Sequence, residues 1–139
     1  MFNLFKTKGR LKTVQNIVQL FYAALFDLLD MDKGKLPDKL KDDFFIIAYI
    51  YGVIGFVSIV SHIDNERQKG LLIYDVFEKL FPDYGKEITE KCNQLVTNDD
   101  KQFLSIFNKA ISEIEMVYKN NGNGSLPSLI GYVREKYED

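Results

Sequence analysis

Apolar residues recur along most of the chain at the three- and four-residue spacings of a helix, and no stretch alternates convincingly as a strand would. From Leu11 to Met31 the polar positions Lys12, Gln15, Gln19, Asp27 and Asp30 make one narrow stripe. Val14, Ile17, Val18, Phe21, Leu25, Leu28 and Leu29 cover the remaining circumference, which predicts a largely buried amphipathic helix. Gly34 is a natural stop just past its end, and Pro37 with Asp38 suits the first turn of the next helix.

That second helix, expected over about 38–63, contains a run without formal charge when His62 is neutral, Phe44 to Ile63 (FFIIAYIYGVIGFVSIVSHI). Asp42 and Asp43 precede the run, and Asp64, Glu66 and Arg67 follow it. A stretch of this length could cross a bilayer. It could equally be apolar all round because other helices of the same chain surround it. The remaining segments each carry a wide apolar face needing a partner, which favours the central-helix reading. Lysines and arginines on the two flanks also lack the asymmetry of a membrane span. Ala48, Gly52, Gly55 and Ser58 lie along one side and would let another helix approach closely.

A third helix is expected from about Gln68 to Phe81, with Asn65 and Gln68 forming a capping-box-like start. Pro82 forbids its simple continuation, and Asp83-Tyr84-Gly85 reads as a turn. A fourth runs over about Lys86–Val96, with Ile88, Cys92, Leu95 and Val96 inward. The fifth has Thr97 or Asn98 as its cap, and Asp99 and Asp100 complement its dipole. Its inward face is Phe103, Phe107, Ala110, Ile111, Ile114, Val117 and Tyr118, with Glu115 and Lys119 paired outside. Asn120–Ser125 (NNGNGS) reads as a flexible connector before a last amphipathic helix, Leu126 to about Glu138. The fold expected is all-α: one domain, a bundle of five or six helices packed around the central apolar one.

A length of 139 residues fits one domain, and a 46% hydrophobic content excludes wholesale disorder. The net charge of −2 argues against a dedicated nucleic-acid binder. Charge is uneven, however: Lys6, Lys8, Arg10 and Lys12 precede the first acid, Asp27. The start lacks the uninterrupted apolar region of a secretory signal and the Arg/Ser richness of a transit peptide, so the cytosol is the default compartment. Met1–Gly9 then reads as a flexible arm, and Met1–Lys12 as a segment able to touch anionic lipid or an acidic partner.

Candidate chemistry is sparse. Single Cys and His residues exclude an internal disulfide framework and every multi-His or multi-Cys metal site. At 100° per residue, Tyr51, Gly55, Ser58 and His62 fall on one stripe of the second helix, its least apolar face. Ser58 with His62, oriented by Asp64, invites a nucleophile reading. No G-x-S-x-G elbow surrounds Ser58, and helix-interior hydroxyls bond to their own backbone, so the stripe reads as a slightly polar edge with His62 near the helix C-terminus, or else as a groove for a ligand or partner. Asp30-x-Asp32-x-Gly34 begins like a calcium loop but lacks its later ligands and carries lysines instead. Cys92, mid-helix and inward, reads as a buried inert thiol. Gly122-x-Gly124 follows no strand and is no dinucleotide fingerprint, though a hinge there would permit exchange of the last helix in a homodimer.

No catalytic, metal or cofactor constellation emerges. The expectation is a non-enzymatic, soluble helical protein that binds another protein, as adaptors, inhibitors and immunity proteins do. Tyr51, Tyr84 and Tyr132 are the proposed aromatic anchors among eight tyrosines and eleven phenylalanines. Two alternatives stand beside it. One is a membrane-associated protein using the basic arm or the 44–63 segment. The other is a carrier holding an apolar ligand beside Ala48, Gly52 and Gly55.

Overall fold

A computed structural model describes residues 9–29, 35–122 and 124–137. Helices α1 (Arg10–Leu25), α2 (Phe44–Val60), α3 (Glu66–Leu80), α4 (Gly85–Thr97), α5 (Lys101–Lys119) and α6 (Pro127–Tyr137) follow in order, and a 3₁₀ turn at Asp38–Leu40 precedes α2. The fold is an all-helical bundle. The Asp30–Gly34 loop and the first eight residues of the basic arm lie outside the described residues, as does Asn123 of the connector.

Side-chain caps set the starts of α2, α3 and α5. Asp43 accepts from the Ile46 amide (3.1 Å) and opens α2. Asn65 accepts from the Arg67 and Gln68 amides (2.8 and 3.2 Å) and opens α3 as expected. Asp100 accepts from the Phe103 amide (2.8 Å) and opens α5, so the cap is neither Thr97 nor Asn98. The correction follows from the end of α4, which runs on to Thr97 and takes Asn98 as its own C-cap. Glu78 reaches from α3 to accept the Asp83 and Gly85 amides (2.9 and 3.0 Å), closing the turn into α4. Only glycine fits at Gly85, because a Cβ there would lie 2.7 Å from Glu78.

Three helices end alike, and none uses glycine at the left-handed position. His62 after α2, Asp99 after α4 and Asn121 after α5 have φ of 58°, 56° and 58°. In each case the next amide returns to the helix, Ile63 to Ser58 O, Asp100 to Leu95 O and Gly122 to Val117 O. This is the Schellman closure. It ends α2 at Val60, short of the expected Ile63. The helix expected to reach back to about residue 38 also starts later, because Asp43 caps it behind the separate 3₁₀ turn. Likewise α1 ends at Leu25 rather than Met31, and Phe26 beyond it is exposed.

Packing explains the uncharged run. Ile46, Ile47, Ala48, Tyr49, Ile50, Val53, Ile54 and Val57 are all buried, so most of α2 is covered by the chain itself. At 17 residues it is about 25 Å long. Among the described residues no helix is long and apolar enough to cross a membrane. The closest partner of α2 is α5, which runs in the same direction: Phe44 meets Phe103, Gly52 meets Phe107 and Ala110, and Phe56 meets Tyr118. A Cβ at Gly52 would fall 2.7 Å from the Phe107 carbonyl and 2.8 Å from the Ala110 Cβ. On the opposite flank α1 packs on α3, tied by Arg10 to Asp75 at 3.5 Å.

Two helical glycines therefore have opposite expected effects. Gly52→Ala overpacks a backbone contact and should cost about 1–3 kcal/mol, outweighing the roughly 1 kcal/mol gained in helix propensity. Gly70→Ala in α3 meets nothing within 4 Å and should stabilise by up to about 1 kcal/mol. Thermal melts followed by circular dichroism check both signs, and a rise for Gly52→Ala would refute the close approach.

Candidate functional site

The α2 stripe divides where the helix stops. Tyr51, Gly55 and Ser58 line a groove of about 310 Å³ that is completed by Ile54 and Ile59, by Lys69 and Ile73 of α3, and by Phe107 and Ile111 of α5. His62 does not continue that lining. Its left-handed backbone sits past the end of α2, so the 100° projection no longer applies, and it is exposed. The Ser58 hydroxyl donates to the Gly55 carbonyl (2.8 Å) within its own helix. Tyr51 stands half-buried with its ring against Phe103 and Phe107, centroids 5.5 and 5.7 Å away. Burial pushes its phenol up, so the hydroxyl is a donor at neutral pH.

The small residues split in the same way. Gly52 is filled by the backbone of α5, while Gly55 faces the Phe107 ring at 3.4 Å and borders open space. Room for an apolar group therefore begins at Gly55. Cys92 is buried as expected, and burial pushes its thiol up to about 12, leaving it un-ionised. No group of three or more metal-ligating side chains comes together among the described residues.

Both other tyrosines named as anchors are engaged within the chain. Tyr84 immediately precedes α4, with the Lys41 ammonium 4.7 Å from its ring centroid. Tyr132 of α6 stacks on Phe45 (4.3 Å) and donates to the Asp43 carboxylate at 2.9–3.0 Å. Lys136 adds a contact to Asp43 at 3.2 Å, and the Tyr137 hydroxyl a further hydrogen bond. The Asp43 side chain is only 1% exposed. Burial alone would push its carboxyl up; hydrogen bonds from Tyr137, the Ile46 amide, Tyr132 and Lys136 outweigh that and hold it below its usual value. Tyr137 responds in the other direction, its phenol pushed up to about 12 by burial and by the carboxylate.

A second carboxylate completes the attachment of α6. Glu113 of α5 accepts from the Tyr49 hydroxyl (2.6 Å), from the Ser128 amide (3.0 Å) and from the Ser128 hydroxyl. The partners of Asp43 and Glu113 went unread in the sequence, though each residue left a signal. Asp43 immediately precedes the uncharged run, where a cap belongs. Glu113 stands on the inward stripe between Ala110 and Val117, where an acid needs partners.

Compared with models of known families, with characterised proteins and with solved structures, the chain matches none.

The Asp43 network makes a pH prediction. A carboxyl held low in the folded state adds stability above its unfolded pKa, and that stability fades as pH falls below about 4. Asp43→Asn keeps an N-cap but weakens the charge-assisted bonds, and should cost about 2 kcal/mol at pH 7. Thermal melts should show the gap between Asp43→Asn and the parent narrowing towards pH 3. A gap that stays constant across this range would remove the carboxylate from the account.

Proposed function

We propose that this chain is a non-enzymatic binding protein whose groove between α2, α3 and α5 holds an apolar small molecule. The observation that carries the reading is the groove lining: Tyr51, Ile54, Gly55, Ile59, Ile73, Phe107 and Ile111 around about 310 Å³. Small-molecule sites have this size and this mostly apolar character, with a few polar groups that orient the guest. Gly55 gives the guest room that a side chain would occupy. The two nucleophilic side chains considered above, Ser58 and Cys92, are placed for other work. Ser58 bonds to its own helix, and Cys92 stays un-ionised inside the core.

Binding of another protein is the second reading, and a specific observation favours it. Ile59 is 63% exposed at the groove, so a partner could place an apolar side chain there and cover Ile59 at once. An adaptor, inhibitor or immunity protein would act in this way. Exchange of α6 between two copies would also have to transfer the Ser128 and Tyr132–Tyr137 attachments to the second copy.

Nile red, an uncharged apolar dye, tests the first reading. The parent protein should bind it with increased emission, and Gly55→Leu, which grows a side chain towards Phe107, should weaken binding by about tenfold. The melting temperature should stay within a few degrees of the parent. Equal binding by both proteins, or none by either, would overturn the small-molecule reading. A protein that co-isolates with the parent but not with Gly55→Leu would then stand for the second.

A further inference from the structure

We infer that the guest of this groove is an anionic amphiphile, an apolar body ending in a carboxylate or similar acid, with its head held at Lys69. The inference rests on the small-molecule reading above and adds the chemistry of the ligand. Lys69 is the one charged residue among the nine that line the groove; its ion-pair partner Glu66 stands outside that lining. It comes from α3, one turn before Ile73, which places a cation beside an aliphatic wall. An acid buried against that wall without a counter-charge would be strongly disfavoured.

The cation is available for this purpose. Its ion pair within the chain is to Glu66 at 3.8 Å, and the Glu66 side chain is 93% exposed. Such an exposed pair holds weakly and yields readily to a better-placed anion. Two uncharged groups in the same lining suit an acid head as well. The Tyr51 hydroxyl is a protonated donor, and the Ser58 oxygen retains lone pairs after donating to Gly55, so it can bond a head group's water or its acid proton. Neither discriminates by charge, whereas Lys69 does.

Three probes with one tail separate the components: decanoate, decanol and decylamine, each titrated calorimetrically near pH 7 below its micelle concentration. Decanoate should bind about fivefold tighter than decanol, and decylamine weakest of the three. Lys69→Gln should bring decanoate to the level of decanol, while Lys69→Arg should preserve the preference. Equal binding of all three probes would overturn the anionic head and leave the apolar groove standing. Tightest binding of decylamine, or a decanoate preference that survives in Lys69→Gln, would overturn it too. Failure of every probe to bind would overturn the groove reading itself.

Discussion

The missing side chain at Gly52 lets α5 lie against the backbone of α2, and the position of every other feature depends on that contact. A Cβ at this point would sit well inside contact distance of both the Phe107 carbonyl and Ala110. Backbone atoms cannot swing aside as a side chain can, so the contact fixes the two helices in position and in register. The two helices are parallel, and the intervening chain returns through the α3–α4 pair. That route brings α3 beside the far end of α2 and supplies the third wall of the groove.

With the pair fixed, α2 presents different chemistry on different sides. Tyr51, Gly55 and Ser58 face the groove, while Asp43 and Phe45 face α6 and Tyr49 bonds to Glu113 of α5. The α6 side is held by two carboxylates that each satisfy several donors at once. Asp43 is expensive to bury alone, and its bonds to an amide, two phenols and an ammonium offset that cost. The same residue caps α2, so the start of the central helix and the seat of the last helix depend on one side chain.

The groove is different in kind. It is apolar and open, and it meets solvent with one lysine and an exposed isoleucine.

The sequence by itself determined the class of fold, a count of five or six helices and most of the core. Helical periodicity and the uncharged run depend only on local spacing and on the need to bury apolar surface. Asn65 as a cap and the Glu115–Lys119 pair, found at 3.6 Å, were legible for the same reason, since their partners lie within one turn. The helix ends were less legible because His62, Asp99 and Asn121 take the left-handed conformation that glycine usually signals. Tertiary structure alone decided which side of the small-residue stripe is filled and which is open. Gly52 and Gly55 look alike in the chain, and only the path of α5 gives one a backbone neighbour and the other a groove. It likewise decided that Tyr132 belongs to Asp43, 89 residues away, because a bond between groups so far apart in sequence leaves no local periodicity to read.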